Sequence, residues 1–238
     1  MTADLLAPLR EAPERSALVF DVDGTLAPIV ARPDLARVPA RTKALLADLA
    51  ARYLLAAFVS GRSGEEARRL VGLEGVRYVG NHGLELDPRA RELAAEIAAF
   101  RDAVARPVED KGLTLAYHYR DAPDEDAARA ELETVAEHAR GAGLVARWGR
   151  KVLEIRPSVE SDKGSAVRSL VADSAARRAL YAGDDTTDLD AFRGLEAAGL
   201  EHVVLVAVAS DEAPAALLEA ADLVVPGPAE LVRLLATL

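Results

Sequence analysis

The 238-residue sequence predicts an α/β fold, a parallel-sheet core interrupted by a smaller α+β insertion. Three observations predict it. Short apolar runs such as residues 18–20 and 53–59 end in polar turns and lead into stretches with helical spacing, the alternation a parallel sheet needs. Polar residues collect where those runs stop, at the carboxyl ends of strands, where open α/β sheets bind ligands. Between about 88 and 160 the pattern changes to strands grouped around one long helix.

Leu18, Val19 and Phe20 form the first strand and Gly24 stops it, so Asp21 and Asp23 stand at its end. Carboxylates at i and i+2 of an extended chain point to the same side and repel in a shared space. A hard cation with oxygen ligands, such as Mg²⁺, relieves that repulsion and keeps positions open for a phosphate. An Asp-rich turn with no ligand is the alternative. Residues 41–52 have the spacing of an amphipathic helix, after a loop carrying Pro33 and Pro39. The next strand, 53–59, ends in Ser60-Gly61-Arg62-Ser63 before a helix over 65–71. There the Ser60 hydroxyl and backbone N–H groups can face a phosphate, or Ser63 is simply a helix cap. A strand over 76–79 leads into Gly80-Asn81-His82-Gly83, where a lone His between glycines reads as a turn residue.

In the insertion, 89–105 and 125–140 read as helices and 113–119, 144–148 and 151–155 as strands. Glu109 and Lys111 are spaced to share a face, Arg120 ends the next strand, and Lys151 and Glu154 flank Val152 and Leu153. Taken alone these are solvated charges on an open sheet. Past the insertion, Ser161 or Asp162 caps a helix running to about 171. An ammonium at a helix start opposes the dipole, so Lys163 requires an anionic partner. Residues 178–182 form a strand that runs into Gly183-Asp184-Asp185-Thr186-Thr187-Asp188. Three carboxylates there signal a cation, with Thr186 or Thr187 capping the helix that follows. Strands over 202–208 and 223–225 and a helix from 229 close the chain.

Composition narrows the function. A net charge of −10 with no basic cluster argues against nucleic acid. The absence of Cys rules out disulfides and thiolate metal sites and suits a cytoplasmic protein. No apolar run approaches the roughly 18 residues of a membrane span, and the opening residues give no expectation of a secretory leader. Four of the 29 basic residues are Lys, and three of those fall in the motifs quoted below; Arg cannot replace an ammonium at a precise site.

DVDGTLAPI resembles the first motif of the haloacid dehalogenase superfamily of phosphotransferases, and the trailing LAPI resembles its trehalose-6-phosphate phosphatase branch. VSGRS resembles the second motif, the segment around Lys163 the third, and GDDTTDLDAF the fourth, with Leu189 where an acidic residue is expected. GNHGLE, VEDKGLTLAYHYR and GRKVLEIRP are similar to further segments of the same branch. The resemblance implies a Rossmann-like core of haloacid dehalogenase type over 1–87 and 161–238, with a cap domain over 88–160 whose closure excludes water. It makes Asp21 the nucleophile, Asp23 the acid and base, Ser60 a phosphoryl ligand and Lys163 the neutralising cation. Mg²⁺ is then held by Asp21, the Asp23 backbone carbonyl and Asp184, while Asp185 and Asp188 act through water or orient other groups. Arg62 and Asn81 are implied substrate contacts, with His82 lining the cleft. Glu109, Lys111, Arg120, Lys151 and Glu154 meet sugar hydroxyls, and His118 is a packed or structural residue. The implied reaction is Mg²⁺-dependent hydrolysis of trehalose 6-phosphate through an aspartyl phosphate, by a protein expected to be a monomer. The alternatives are another sugar phosphate, such as a glucosylglycerol or hexose phosphate, or a sugar-phosphate sensor without turnover.

Overall fold

A computed structural model describes residues 4–30, 35–104, 106–149, 151–211 and 213–238. Pro33 of the expected loop, Ala105 at the end of the expected helix and Arg150 of the GRKVLEIRP segment lie outside these. The chain divides into two compact units, one made of the residues up to Gly83 together with Ser161–Leu238, the other Leu84–Glu160.

The first unit opens with α1 (Ala7–Glu11), β1 (Ser16–Phe20), α2 (Ala40–Arg52), β2 (Leu55–Val59), α3 (Gly64–Val71) and β3 (Arg77–Val79). The second contains α4 (Pro88–Glu92), α5 (Ala94–Ala103), β4 (Glu109–Asp110), β5 (Leu115–His118), α6 (Glu125–Gly141), β6 (Val145–Gly149) and β7 (Val152–Arg156). The chain then returns to the first unit with α7 (Lys163–Ser174), β8 (Arg178–Gly183), α8 (Thr186–Glu196), β9 (His202–Ala209), α9 (Ala215–Ala220), β10 (Leu223–Pro226) and α10 (Pro228–Leu235).

Six parallel strands run in the order β10-β9-β8-β1-β2-β3. From β1 the chain steps outward through β2 and β3, then resumes on the other side of β1 with β8. The strand order therefore reverses at β1, and the carboxyl end beside such a reversal is where open α/β sheets bind ligands. All five β1 residues are buried, as a strand covered on both faces requires. Ser16 is tolerated there because its hydroxyl donates to Ala12 O at 2.7 Å. Leu18, Phe20, Phe58, Leu180 and Val206 join one apolar cluster, each worth about 1.5–3 kcal/mol when fully buried.

Helices α7 and α8 meet backbone to backbone at two glycines. A Cβ on Gly194 would lie 2.3 Å from Gly164 O, and one on Gly164 would lie 2.3 Å from Asp190 O. Only glycine permits that approach, and it sets Lys163, the first residue of α7, beside the first turn of α8.

The second unit is an antiparallel sheet in the order β4-β5-β7-β6. Leu115, Tyr117, Leu153 and Ile155 pack into a separate core with Phe100 and Leu132 of α5 and α6. Residues directly opposite share a face, so Glu109, Ala116, Glu154 and Arg147 form one row on the other side of the sheet.

Several expectations need correction. The helix over 89–105 is two helices broken at Leu93, whose ψ of −3° ends the first. Glu109–Asp110 is an unanticipated edge strand, and β5 is shorter than 113–119 because Thr114 O is spent on Lys111 N in the turn between them. Arg120 is an exposed turn residue beyond the strand it was expected to end. His118 is exposed, not packed, because it follows Tyr117 in the alternation and so faces away from the core. The short helices α1 and α9 carried too little periodic sequence to be read. No helix among the described residues is long and apolar enough to cross a membrane.

Replacing Gly194 by Val should destabilise the protein at the upper end of the about 1–3 kcal/mol that overpacking costs, measured by chemical denaturation. Gly141→Ala in α6, where a Cβ meets nothing within 4 Å, should be neutral or slightly stabilising.

Candidate active site

Asp21 follows directly on β1, and its N–H donates to Ala182 O at 2.9 Å, which brings it level with the end of β8. Asp184 and Asp188 follow from β8, so parallel pairing brings acids from distant segments together. One carboxylate oxygen each from Asp21, Asp184 and Asp188 lies within 4.8 Å of the others, and all three residues are buried. Lys163 Nζ enters the cluster, donating to Asp21 Oδ1 at 2.6 Å and to Asp188 Oδ1 at 2.7 Å. The anionic reason for an ammonium at a helix start is therefore these two carboxylates.

The three acids are not equivalent. Asp188 accepts four hydrogen bonds: from Lys163 and Tyr181 OH (2.6 Å) at Oδ1, and from the Asp184 and Asp185 N–H groups (2.9 Å each) at Oδ2. Two carboxylate oxygens have about four lone-pair sites, so Asp188 has no capacity left for a cation and serves as the anchor of the cluster. Asp184 accepts from Thr25 Oγ1 at 2.9 Å, and Asp21 from Lys163. These two acids keep the capacity to ligate a cation. Asp184 also lies against Gly24, where φ is +82° and a Cβ would stand 2.0 Å from its Oδ2; both the turn and the approach demand glycine.

Three buried carboxylates against one ammonium leave a formal excess of two negative charges, the charge of one divalent cation. Burial pushes the Asp21 carboxyl well above its usual range, Lys163 opposes this, and Asp188 and Asp184 reinforce it. Burial, then Asp188, raises Asp184 to about 7. For Lys163 burial acts downward, but Asp188 and Asp21 outweigh it and hold the ammonium charged. Burial first and Asp188 next push the Tyr181 phenol far upward, so it stays a neutral donor.

Asp23 lies in the turn beyond the strand, where Leu26 N and Ala27 N both donate to Val22 O. The i, i+2 geometry of an extended chain no longer applies, and the carboxyl group of Asp23 is not in the acid cluster. It is gripped by Arg62, with Nε to Oδ2 at 2.6 Å and an Nη to Oδ1 at 2.7 Å. Ser60 is buried at the end of β2, the neighbour of β1, and its Oγ accepts from Arg62 N at 3.2 Å. Ser63 caps α3 in a full capping box with Glu66. Asn81 and His82 take left-handed backbone conformations, φ +52° and +53°, which few non-glycine residues adopt. Their N–H groups donate to Arg62 O at 2.7 Å and Ser60 O at 2.9 Å, tying this segment onto the Ser60–Arg62 loop. Asp162 caps α7, and Asp185, rather than Thr186 or Thr187, caps α8.

In the second unit by itself, Glu154 stands in the row with Glu109, and Lys111 Nζ is 4.0 Å from Glu109 Oε2. Lys151 sits in the β6–β7 turn with φ +55° and bonds Glu125 at 2.6 Å, while Arg120 is exposed. Sequence reasoning missed Thr25, Tyr181 and the anchoring role of Asp188. Tyr181 was hidden in an apolar strand; the spacing of Asp188 three residues after the capping Asp185 was the available signal for its inward role.

The chain matches a family model described as trehalose-phosphatase over residues 19–105 and 105–221. It is 35% identical over 229 residues to the trehalose-phosphate phosphatase of Mycobacterium marinum, covering 85% of this chain and 57% of that protein. The chain thus spans less than two thirds of the length of that relative. Among solved structures, Aspergillus fumigatus trehalose-6-phosphate phosphatase superposes with a TM-score of 0.62 at 27% identity, covering 99% of this chain and 96% of that one. A haloacid dehalogenase-like hydrolase from Bacteroides thetaiotaomicron, 15% identical, shares the fold with a TM-score of 0.61 over 93% of this chain and 98% of that one.

The raised Asp184 value sets a pH dependence. Between the unfolded value of 3.8 and the folded value of about 7, the folded site holds a proton that the unfolded chain has lost. Stability of the metal-free protein should therefore fall as pH rises through that window. A divalent cation needs the deprotonated site, so its effect on Tm should be larger at about pH 8 than at about pH 5.5. Thermal denaturation with EDTA and with MgCl₂ at the two pH values checks this; equal shifts would contradict it.

Proposed function

Starting from a chain that belongs to the trehalose-phosphatase family, we propose that it hydrolyses trehalose 6-phosphate to trehalose and inorganic phosphate. The observation that carries this reading is the Lys163 bridge between Asp21 and Asp188, with Asp184 alongside, at the switch point of the sheet. A buried carboxylate at the end of the central strand, faced by an ammonium and by a site for a divalent cation, is equipped to attack phosphorus.

In the proposed reaction an Asp21 oxygen bonds to phosphorus as the bond from phosphorus to the sugar oxygen breaks, and Asp23 gives its proton to that oxygen. Asp23 then accepts a proton from water as the water attacks phosphorus and the bond to Asp21 breaks. Lys163 and the Ser60 hydroxyl bind the phosphoryl oxygens. Mg²⁺, held by Asp21, Asp184 and the Asp23 backbone carbonyl, would supply charge neutralisation to the transferring group. Arg62 occupies both Asp23 oxygens in the resting arrangement, so Asp23 acts only after the guanidinium turns to a competing anion, and the substrate phosphate is the one at hand.

Residues 88–160 are read as the cap, with Glu109, Lys111 and Glu154 on one sheet face and Arg120 and Lys151 as further substrate contacts; Asn81 of the first unit is a further one. Carboxylate acceptors and ammonium donors suit a disaccharide's hydroxyls.

Phosphate release from a sugar-phosphate panel with and without EDTA tests the proposal: trehalose 6-phosphate should have the highest kcat/KM, and EDTA should abolish turnover. A preference for hexose or glucosylglycerol phosphate would move the substrate, and no release from any member would indicate a sensor. Asp21→Asn should remove phosphate release altogether. Asp23→Asn should lower kcat by about 10²–10⁴ while keeping the cation-dependent rise in Tm.

A further inference from the structure

His118 received no functional role from the sequence, yet the fold places it among the residues proposed to meet the sugar. It lies two residues beyond Ala116 in β5, on the face that carries Glu109 and Glu154. Its Nε2 is 2.7 Å from Glu109 Oε2. A carboxylate only accepts, so Nε2 carries the hydrogen and the imidazole donates. The same Glu109 oxygen lies 4.0 Å from Lys111 Nζ, which puts Oε2 between an imidazole donor and an ammonium. Register explains the reach. Glu109 is directly opposite Ala116, whose methyl group fills little space, and His118 is the diagonal neighbour, a separation of about 7–8 Å that long side chains can span. His118 is only partly covered, with 38% of its side chain exposed against 30% for Glu109. Packing therefore gives little reason for a histidine here; the hydrogen bond does.

We propose that His118 is a positioning residue for sugar recognition: by donating to Glu109 Oε2 it fixes the carboxylate that, with Lys111, binds the substrate's hydroxyl groups. The role presupposes a sugar-phosphate substrate, as proposed for the site. A flexible Glu at a strand edge would lose rotamer freedom on each binding event, and a partner that holds it in advance removes that cost.

A double-mutant cycle tests it, with the sugar phosphate that the wild-type protein turns over best and with p-nitrophenyl phosphate, which has no sugar. His118→Ala should lower the ratio of the two kcat/KM values roughly tenfold, the scale of one charge-assisted hydrogen bond, and should do so through KM. His118→Gln, which restores an N–H donor, should recover part of the loss. In a Glu109→Gln background His118→Ala should add nothing further. Independently of any substrate, ¹⁵N spectra should show the His118 ring with its hydrogen on Nε2, and that signal should shift on Glu109→Gln. Additive losses, an equal loss with both substrates, or a ring indifferent to Glu109 would each overturn the assignment of His118. A wild-type protein that hydrolyses only the aryl phosphate would instead overturn the sugar-phosphate function on which it rests.

Discussion

The buried ammonium of Lys163, shared between Asp21 and Asp188, is the interaction on which the site depends. Removing one partner of such a buried pair costs about 3–5 kcal/mol, because the charge left behind has lost both water and its counter-ion. The fold secures the arrangement from three directions. Gly164 and Gly194 let α7 and α8 touch, Asp188 is held by two backbone N–H groups and Tyr181, and Asp21 is locked to β8 through Ala182. What these restraints leave is an electrostatic imbalance, negative on the side of Asp21 and Asp184. A site built with that imbalance is completed by what binds to it.

The core of this fold was legible because parallel strands buried on both faces must be apolar throughout, and because the acids sit where such strands stop. DVDG, VSGR and GDDTTD each marked a strand end that the structure brings to the same edge of the sheet. Lys163 stood out because it opposed a helix dipole and needed an anion. What escaped depended on direction rather than on residue type. Nothing in the string DDTTD says that the last Asp turns inward and spends both oxygens, and a Tyr in an apolar run looks like packing until its hydroxyl finds a partner. The pairing of Asp23 with Arg62 escaped for a similar reason, since a turn had replaced the extended geometry that the i, i+2 argument assumed.

The second unit was harder to read. Its strands are short and its helices Ala-rich, so local propensity fixed neither the break at Leu93 nor the two-residue strand β4. Once the register is known, its two faces separate sharply. One is a core of Leu115, Tyr117, Leu153 and Ile155; the other holds charged side chains in contact, with Glu109 between His118 and Lys111.

The most direct test of the buried site is a crystal structure of the protein with Mg²⁺ and beryllium trifluoride, which mimics a phosphoryl group on a carboxylate. Beryllium bonded to an Asp21 oxygen is the predicted result, with the metal about 2.0–2.1 Å from oxygens of Asp21 and Asp184 and Lys163 still bound to Asp188. Beryllium on any other residue, or a metal ligated by Asp188 in place of its hydrogen bonds, would contradict the account.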